Sequence, residues 1–203
     1  NWDLWLGPRA ERPFSPAYIP TTWRDYWAFG TGMLGDMACH HLDPAFWALK
    51  LDQADRFQVE ASSYGATEEV CPAASLVYYD FPARAGMVPV RITWYEGGVM
   101  PPRPAELEEG RSLGQHGILF FGSKGAILGE GWGRSPRIIP ESKMRAYKRP
   151  AKTLPRVKGH HRNWLDACKG GPPASSSFDN ASRLAEIVLL GKVALRTGKT
   201  IYY

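Results

Sequence analysis

Cysteine is scarce in this chain: three in 203 residues, at Cys39, Cys71 and Cys168. An odd number so widely spaced excludes a disulfide framework, and no CxxC pair is present to frame a structural zinc. A reducing compartment is the default reading. Long apolar runs are also missing. The best, residues 187–195, is interrupted by Gly191 and Lys192 and falls short of the roughly 18 residues a membrane helix needs. No low-complexity tract, internal repeat or signal peptide is visible. The chain opens on Asn1-Trp2-Asp3 without an initiator Met, so the expectation is a fragment whose targeting information lies upstream. The net charge of +5 invites a nucleic-acid reading, but the basic residues are scattered. Their densest stretch, 143–158, is broken by Pro150 and Pro155 and reads as a solvated loop, so neither nucleic acid nor membrane is expected as a partner.

What the chain does have is glycine (21), proline (17) and eight Trp within a 44% hydrophobic composition, which points to turns and β-structure. A folded chain of this length buries about 70% of its unfolded surface and needs no staple. Residues 1–31 form a Pro- and aromatic-rich opening segment expected to pin itself by its rings. A helical pattern follows over 33–50, with Pro44 as a kink or restart. Strand-like runs occupy 56–63, 74–81, 88–95, 116–122 and 126–128, with Val88, Val90, Ile92 and Trp94 on one face. Gly122-Ser-Lys-Gly125 reads as a hairpin turn, not a phosphate loop, because no helix follows it. Helices are expected over 160–169 and 180–197, the second capped by Asp179 and stopped at Gly198, with a last strand over 200–203. This order predicts an α+β domain over 1–203 with a largely antiparallel sheet.

The chemistry-bearing segment runs from Phe29 to Asp43. Asp36, His40 and Asp43 stand at i, i+4 and i+7, on one stripe of a helix. A carboxylate beside an imidazole fixes its tautomer and raises its basicity, as a general base acting on a hydroxyl requires. A second carboxylate one turn on can grip further hydroxyls. The same spacing also suits a hydrated surface, but apolar neighbours (Met33, Leu34, Met37, Cys39, Leu42, Phe46, Trp47) imply a mostly buried helix. His41 points elsewhere and is expected to be structural or superficial. Two rival readings are weaker. Gly30-Thr-Gly-Met-Leu-Gly35 fits GxGxxG, yet no smooth strand precedes it and Asp36 would set a negative charge where pyrophosphate should lie. A metal site from Asp36, His40, Asp43 and His160 or His161 matches no known ligand spacing. No cofactor-binding or metal-ligating residue is therefore assigned in this chain. Trp23, Arg24, Trp94, Tyr95 and Arg103 are candidate contacts for a polyhydroxy ligand, Arg24 and Trp94 foremost.

The pattern Gly30-x-Gly-x-Leu-x-Asp36-x-x-x-His40-x-x-Asp43 resembles the segment opening the second domain of Gfo/Idh/MocA oxidoreductases. The likeness extends along a bacterial branch through Trp2-Asp-Leu-Trp-Leu-Gly-Pro8, Trp23-Arg24, Phe81-Pro-Ala-Arg84, Thr93-Trp-Tyr95, Pro101-Pro-Arg-Pro104, Ile139-Pro-Glu-Ser-Lys-Met144 and Val193-Ala-Leu-Arg196. It departs at Ala38, where relatives usually carry Gly. The resemblance implies an open, mainly antiparallel sheet with helices on one face, like the C-terminal domain of dihydrodipicolinate reductase. It implies NAD or NADP held by a Rossmann domain that these residues do not contain, together with a lysine from that domain. His40 is then the proton-transferring residue with Asp36 beside it, and Asp43 contacts the substrate. The reaction implied is oxidation of a secondary alcohol on a sugar, polyol or derivative, and the isolated chain is expected to be inactive. Redox-assisted glycoside hydrolysis and a non-catalytic sugar-binding or oligomerisation module are the alternatives. A homo-oligomer through the sheet face is expected. The default compartment is the bacterial cytoplasm, or the periplasm given an upstream export signal.

Overall fold

The strand-like runs pair into two separate antiparallel sheets. The computed structural model describes residues 1–203, and where the sequence reading treats them as one domain they form two compact units. The first comprises Asn1–Pro102 with Ile187–Tyr203, the second Arg103–Glu186. In the first, β1 (Gln58–Tyr64), β2 (Ala74–Phe81), β3 (Val90–Glu96) and the short β7 (Ile201–Tyr202) lie in the order β3-β2-β1-β7. The register sets Tyr79 opposite Val59 and Ile92, and Val77 opposite Ala61 and Trp94. Alternate residues of β2 (Ser75, Val77, Tyr79, Phe81) are buried, the period-2 signature of a sheet with one covered face. Leu76, Tyr78 and Asp80 occupy the other, half-exposed face.

The covered face carries α2 (Gly32–Ala48) and the later part of α5 (Phe178–Thr197). Ile187, Val188, Ala194 and Leu195 of α5 are buried, matching the apolar stripe read from the sequence. The tightest contact is at Gly191, where a β-carbon would lie 2.0 Å from Tyr79 Oη and 2.9 Å from Leu34 Cδ2. Only glycine lets α5 come this close to the strand and to α2. Pro44 lies inside α2 without ending it, so the helix runs through the expected kink. At the C-terminal end of α2 the buried Arg84 donates to the carbonyls of Leu49 (2.6 Å) and Lys50 (3.2 Å). A cation there satisfies orphan carbonyls and complements the helix dipole.

The opening segment is held by rings, as its composition suggests. Its short helix α1 (Trp2–Leu6) stacks Trp2 on Trp5 at 4.9 Å and on Tyr18 at 5.7 Å, and Trp5 meets Phe29 edge-on at 4.8 Å. Backbone bonds then clip this segment to the loop between β1 and β2. The Cys71 N–H donates to the Asp25 carbonyl (2.7 Å), and the Trp27 N–H to that of Glu69 (3.0 Å).

In the second unit β4 (Gly117–Gly122), β5 (Gly125–Glu130) and β6 (Arg137–Ile139) form a three-stranded sheet, joined at 122–125 by the expected two-residue hairpin. Its core is small: Leu107, Ala126 and Ile139, flanked by Leu113 and Leu128. The helix α3 (Glu141–Ala146) and the strand β6 carried no clear periodic signal. Glu108 ties them together, accepting from Arg137 at 3.0 and 3.1 Å and from the Glu141 N–H. The helix α4 (His160–Cys168) matches the pattern at 160–169, whereas α5 begins at Phe178, which places Asp179 in its first turn rather than at its cap. No helix is long and apolar enough to cross a membrane.

Candidate active site

Helix α2 separates its residues cleanly by face. Leu34, Ala38, His41, Leu42, Ala45 and Phe46 are buried. On the other side lie His40, which is exposed, and Asp36 and Asp43, which are half-buried. The stripe predicted from the i, i+4, i+7 spacing is therefore open, bracketed by the exposed Met33 and Trp47. His41 takes the structural role, its ring 6.1 Å from that of Trp94.

Tertiary structure adds a partner to this stripe. Arg24, from the 3₁₀ turn Thr22–Asp25, reaches Asp36 with its Nη1 3.2 Å from Oδ2. The two side chains are 36% and 37% exposed, so the pair contributes little stability, roughly 0–1 kcal/mol. Its effect is positional: the guanidinium holds the carboxylate one turn before His40. Pro44 adds a second local feature. It brings no N–H to the carbonyl of His40 four residues earlier, which leaves that acceptor without its usual helical donor.

The glycines of the GxGxxG-like run explain how Arg24 arrives there. A β-carbon on Gly30 would lie 2.3 Å from the Arg24 carbonyl oxygen, and one on Gly35 2.0 Å from Thr31 Oγ1. Gly32, at φ +61°, faces Cys71 and Lys192. All three are closed by the protein's own atoms, so they offer no cradle for a pyrophosphate. They are packing glycines that let the Arg24 turn lie against the start of α2.

The remaining ligand-contact candidates fall into different places. Trp94 is only 9% exposed and donates its indole N–H to Glu96 at 2.8 Å. Its one polar handle is thus committed, and its ring lies in the core of the first unit. Tyr95 lies on the other face of β3, half-buried. Arg103 belongs to the second unit, where its guanidinium donates to the carbonyls of Leu107 (2.8 Å) and Glu108 (2.7 Å) and so holds a turn. Trp23 stays 37% exposed, with the Arg24 guanidinium 6.0 Å from its ring centre. No three His, Cys, Asp or Glu side chains are grouped so as to hold a metal ion.

Several consequential residues escaped sequence reasoning. Arg84 sits in a motif shared with the resembling family, but its capping of α2 depends on a fold contact across more than thirty residues. Lys192 and Glu96 are buried ionisable side chains on elements that read as plain helix and strand. The break that Lys192 makes in the apolar run 187–195 was the one available signal.

Among curated proteins none matches the chain. In fold, the chain is similar to an NAD-binding protein from Listeria innocua, with a TM-score of 0.55 at 16% identity, covering 90% of this chain and 51% of that one. A Thermotoga maritima protein described as an oxidoreductase is more distant, with a TM-score of 0.42 at 14% identity over 82% of this chain and 45% of that one. The chain thus spans about half the length of the solved structures it resembles. The α+β architecture with antiparallel sheets agrees with the Listeria structure. The sequence model described as the oxidoreductase family C-terminal alpha/beta domain, of the Gfo/Idh/MocA group, matches residues 1–86, which carry the opening segment, α2 and β1–β2. Over those residues the chain is similar to the C-terminal domain of the Gfo/Idh/MocA oxidoreductases.

Proposed function

We propose that this chain is the substrate-side domain of an NAD(P)-dependent oxidoreductase acting on a secondary alcohol of a sugar, polyol or derivative. The observation that carries the proposal is the open stripe of α2, with exposed His40 flanked by Asp36 and Asp43 and with Arg24 drawn onto Asp36. A nicotinamide accepts hydride in such a reaction, and since Gly30–Gly35 offers it no cradle, it is held outside these residues. His40 takes the hydroxyl proton of the substrate through its imidazole nitrogen. Asp36, fixed by Arg24 one turn before His40, orients that ring. Asp43 and the carbonyl of His40, which Pro44 deprives of its usual donor, accept from neighbouring hydroxyls, which favours a polyhydroxy substrate over a simple alcohol. The name of the Listeria neighbour as an NAD-binding protein supports the cofactor class. A second copy of the chain is the proposed partner for the open sheet face of Leu76, Tyr78, Thr93 and Tyr95, all half-buried in the lone chain.

The test has two stages. NADH is titrated by nicotinamide fluorescence against this chain and against a longer protein carrying it. Binding to the longer protein alone is expected, and comparable binding to the chain alone overturns the assignment of Gly30–Gly35. His40→Ala in the longer protein then lowers kcat by about 10²–10⁴-fold, the usual worth of a positioned general base. Unchanged turnover would sink the role given to His40.

A further inference from the structure

A thiol and an amine from distant parts of the chain meet behind the first turn of α2. Cys71, in the loop between β1 and β2, is 4% exposed, and Lys192, on α5, is 6% exposed. A β-carbon on Gly32 would lie 3.1 Å from Cys71 Sγ and also 3.1 Å from Lys192 Nζ, so sulfur and nitrogen flank the same point. Lys192 Nζ has no hydrogen-bond partner besides the Cys71 thiol that it faces. The Trp27 ring centre is 4.5 Å from it. The nearby buried carboxylate of Glu96 is already occupied, accepting from Ser75 Oγ at 2.6 Å and from Trp94 Nε1 at 2.8 Å. Burial draws Lys192 below its ordinary value, against the pull of Cys71 and Glu96, and pushes the Cys71 thiol up. Both effects favour the neutral pair, in which the amine keeps a lone pair to donate. Packing alone does not call for these residues, since an apolar side chain fills such a volume without the cost of desolvating an amine.

We propose that Cys71 and Lys192 form an oxidative modification site, where peroxide joins them through a sulfur–nitrogen bond. Lys192 Nζ takes the thiol proton as the Cys71 sulfur attacks one peroxide oxygen; the O–O bond breaks, and the departing hydroxide takes that proton back from nitrogen, giving a sulfenic acid, water and the free amine. The sulfur loses two electrons and the peroxide gains them. The Lys192 lone pair then attacks the sulfur, the S–N bond forms and the S–O bond breaks. The departing hydroxide takes a proton from the nitrogen as a second water. One peroxide is consumed, two waters form, and the pair loses two hydrogens. Sulfenic acids are known to condense with nitrogen in this way. Burial favours condensation over further oxidation, because a second peroxide must enter a site where the amine already stands. Excess thiol reverses the bond by attacking sulfur and releasing the amine, after which a second thiol frees Cys71. The link joins α5 to the loop that holds the Asp25 carbonyl, so it fastens the turn carrying Arg24 against α2.

The test is to treat the reduced full chain with stoichiometric hydrogen peroxide, digest it, and map its peptides by mass spectrometry. The expected product is a joined pair of peptides containing Cys71 and Lys192, two hydrogens lighter than their sum and separated again by dithiothreitol. The oxidised chain melts at a higher temperature and reverts on reduction. The joined peptide is absent from Cys71→Ser and Lys192→Arg. If either variant misfolds, the wild-type map decides alone. The proposal is overturned if Cys71 stays a free thiol at a dose that oxidises the exposed Cys168. It is equally overturned if Cys71 advances to sulfinic acid with no joined peptide.

Discussion

Replacing Gly191 by alanine tests whether the seat of α2 depends on one missing β-carbon. The new methyl would stand 2.0 Å from Tyr79 Oη, 2.9 Å from Leu34 Cδ2 and 3.0 Å from Tyr79 Cζ. Tyr79 and Leu34 are both 0% exposed, so neither can swing aside into solvent. Overpacking of a closed core costs about 1–3 kcal/mol, and the rigidity of a ring places this case near the upper end. Alanine regains about 1 kcal/mol of helix propensity over glycine, leaving a net loss of roughly 1–2 kcal/mol. Thermal melting should record a fall of about 2–4 °C per kcal/mol for a chain of this size. The diagnostic step is Tyr79→Phe, which removes the oxygen that the methyl strikes. By itself it gives up the weak 3.4 Å bond to the Val188 carbonyl, worth about 0.5–1.5 kcal/mol. Combined with Gly191→Ala it should recover part of the loss, giving a favourable coupling of about 1 kcal/mol in a double-mutant cycle. A neutral or stabilising Gly191→Ala, or strictly additive effects in the pair, would refute the account of how α5 and α2 are seated.

Four further outcomes are expected. Gly30→Ala sets a β-carbon 2.3 Å from the Arg24 carbonyl oxygen. The turn must move, so the Arg24–Asp36 pair is lost and kcat of a longer protein carrying this chain falls more than KM changes. Arg84→Ala strips the C-terminal end of α2 of a buried charged donor and should cost about 1.5–3 kcal/mol, read by chemical denaturation. The Glu108 carboxyl is held near about 2 instead of 4.5, chiefly by Arg137 and then by backbone N–H groups. The folded state therefore binds fewer protons than the unfolded one between those values. The stability it contributes is complete above about 4.5 and is lost as pH falls toward 2. Glu108→Gln should flatten that acid limb in pH-dependent melting. Lys192 is lowered from 10.5 by burial, so its unfolded form takes up a proton between the lowered value and 10.5. Its contribution rises with pH across that window, and Lys192→Met should abolish the rise relative to wild type.

The periodicity of the chain sufficed for most of its elements. The 33–50 pattern became α2, 74–81 became β2 without a residue of error, and the apolar stripe of α5 lies where its spacing placed it. Local patterns of this sort survive because burial acts on each face of a helix or strand directly. The Asp36, His40 and Asp43 stripe was legible for the same reason, as a relation within one helix turn and the next. Short elements were not: α1, α3 and β6 span six residues or fewer, too few for a period to show.

Relations across the chain were decided only by the tertiary structure. The strands divide between two sheets because pairing depends on which partner each edge meets. Which way the Trp94 indole faces, into the core beside Glu96, was set by the packing of β3. Arg24 became Asp36's partner because Gly30 and Gly35 let two stretches of backbone touch, a steric permission that no single-residue preference records. Lys192, an interruption in an apolar run, became a buried amine against Cys71 because helix, loop and sheet close around it together. Sequence by itself determined which residues share a face; packing decided which faces water still reaches, and so which groups remain free to act.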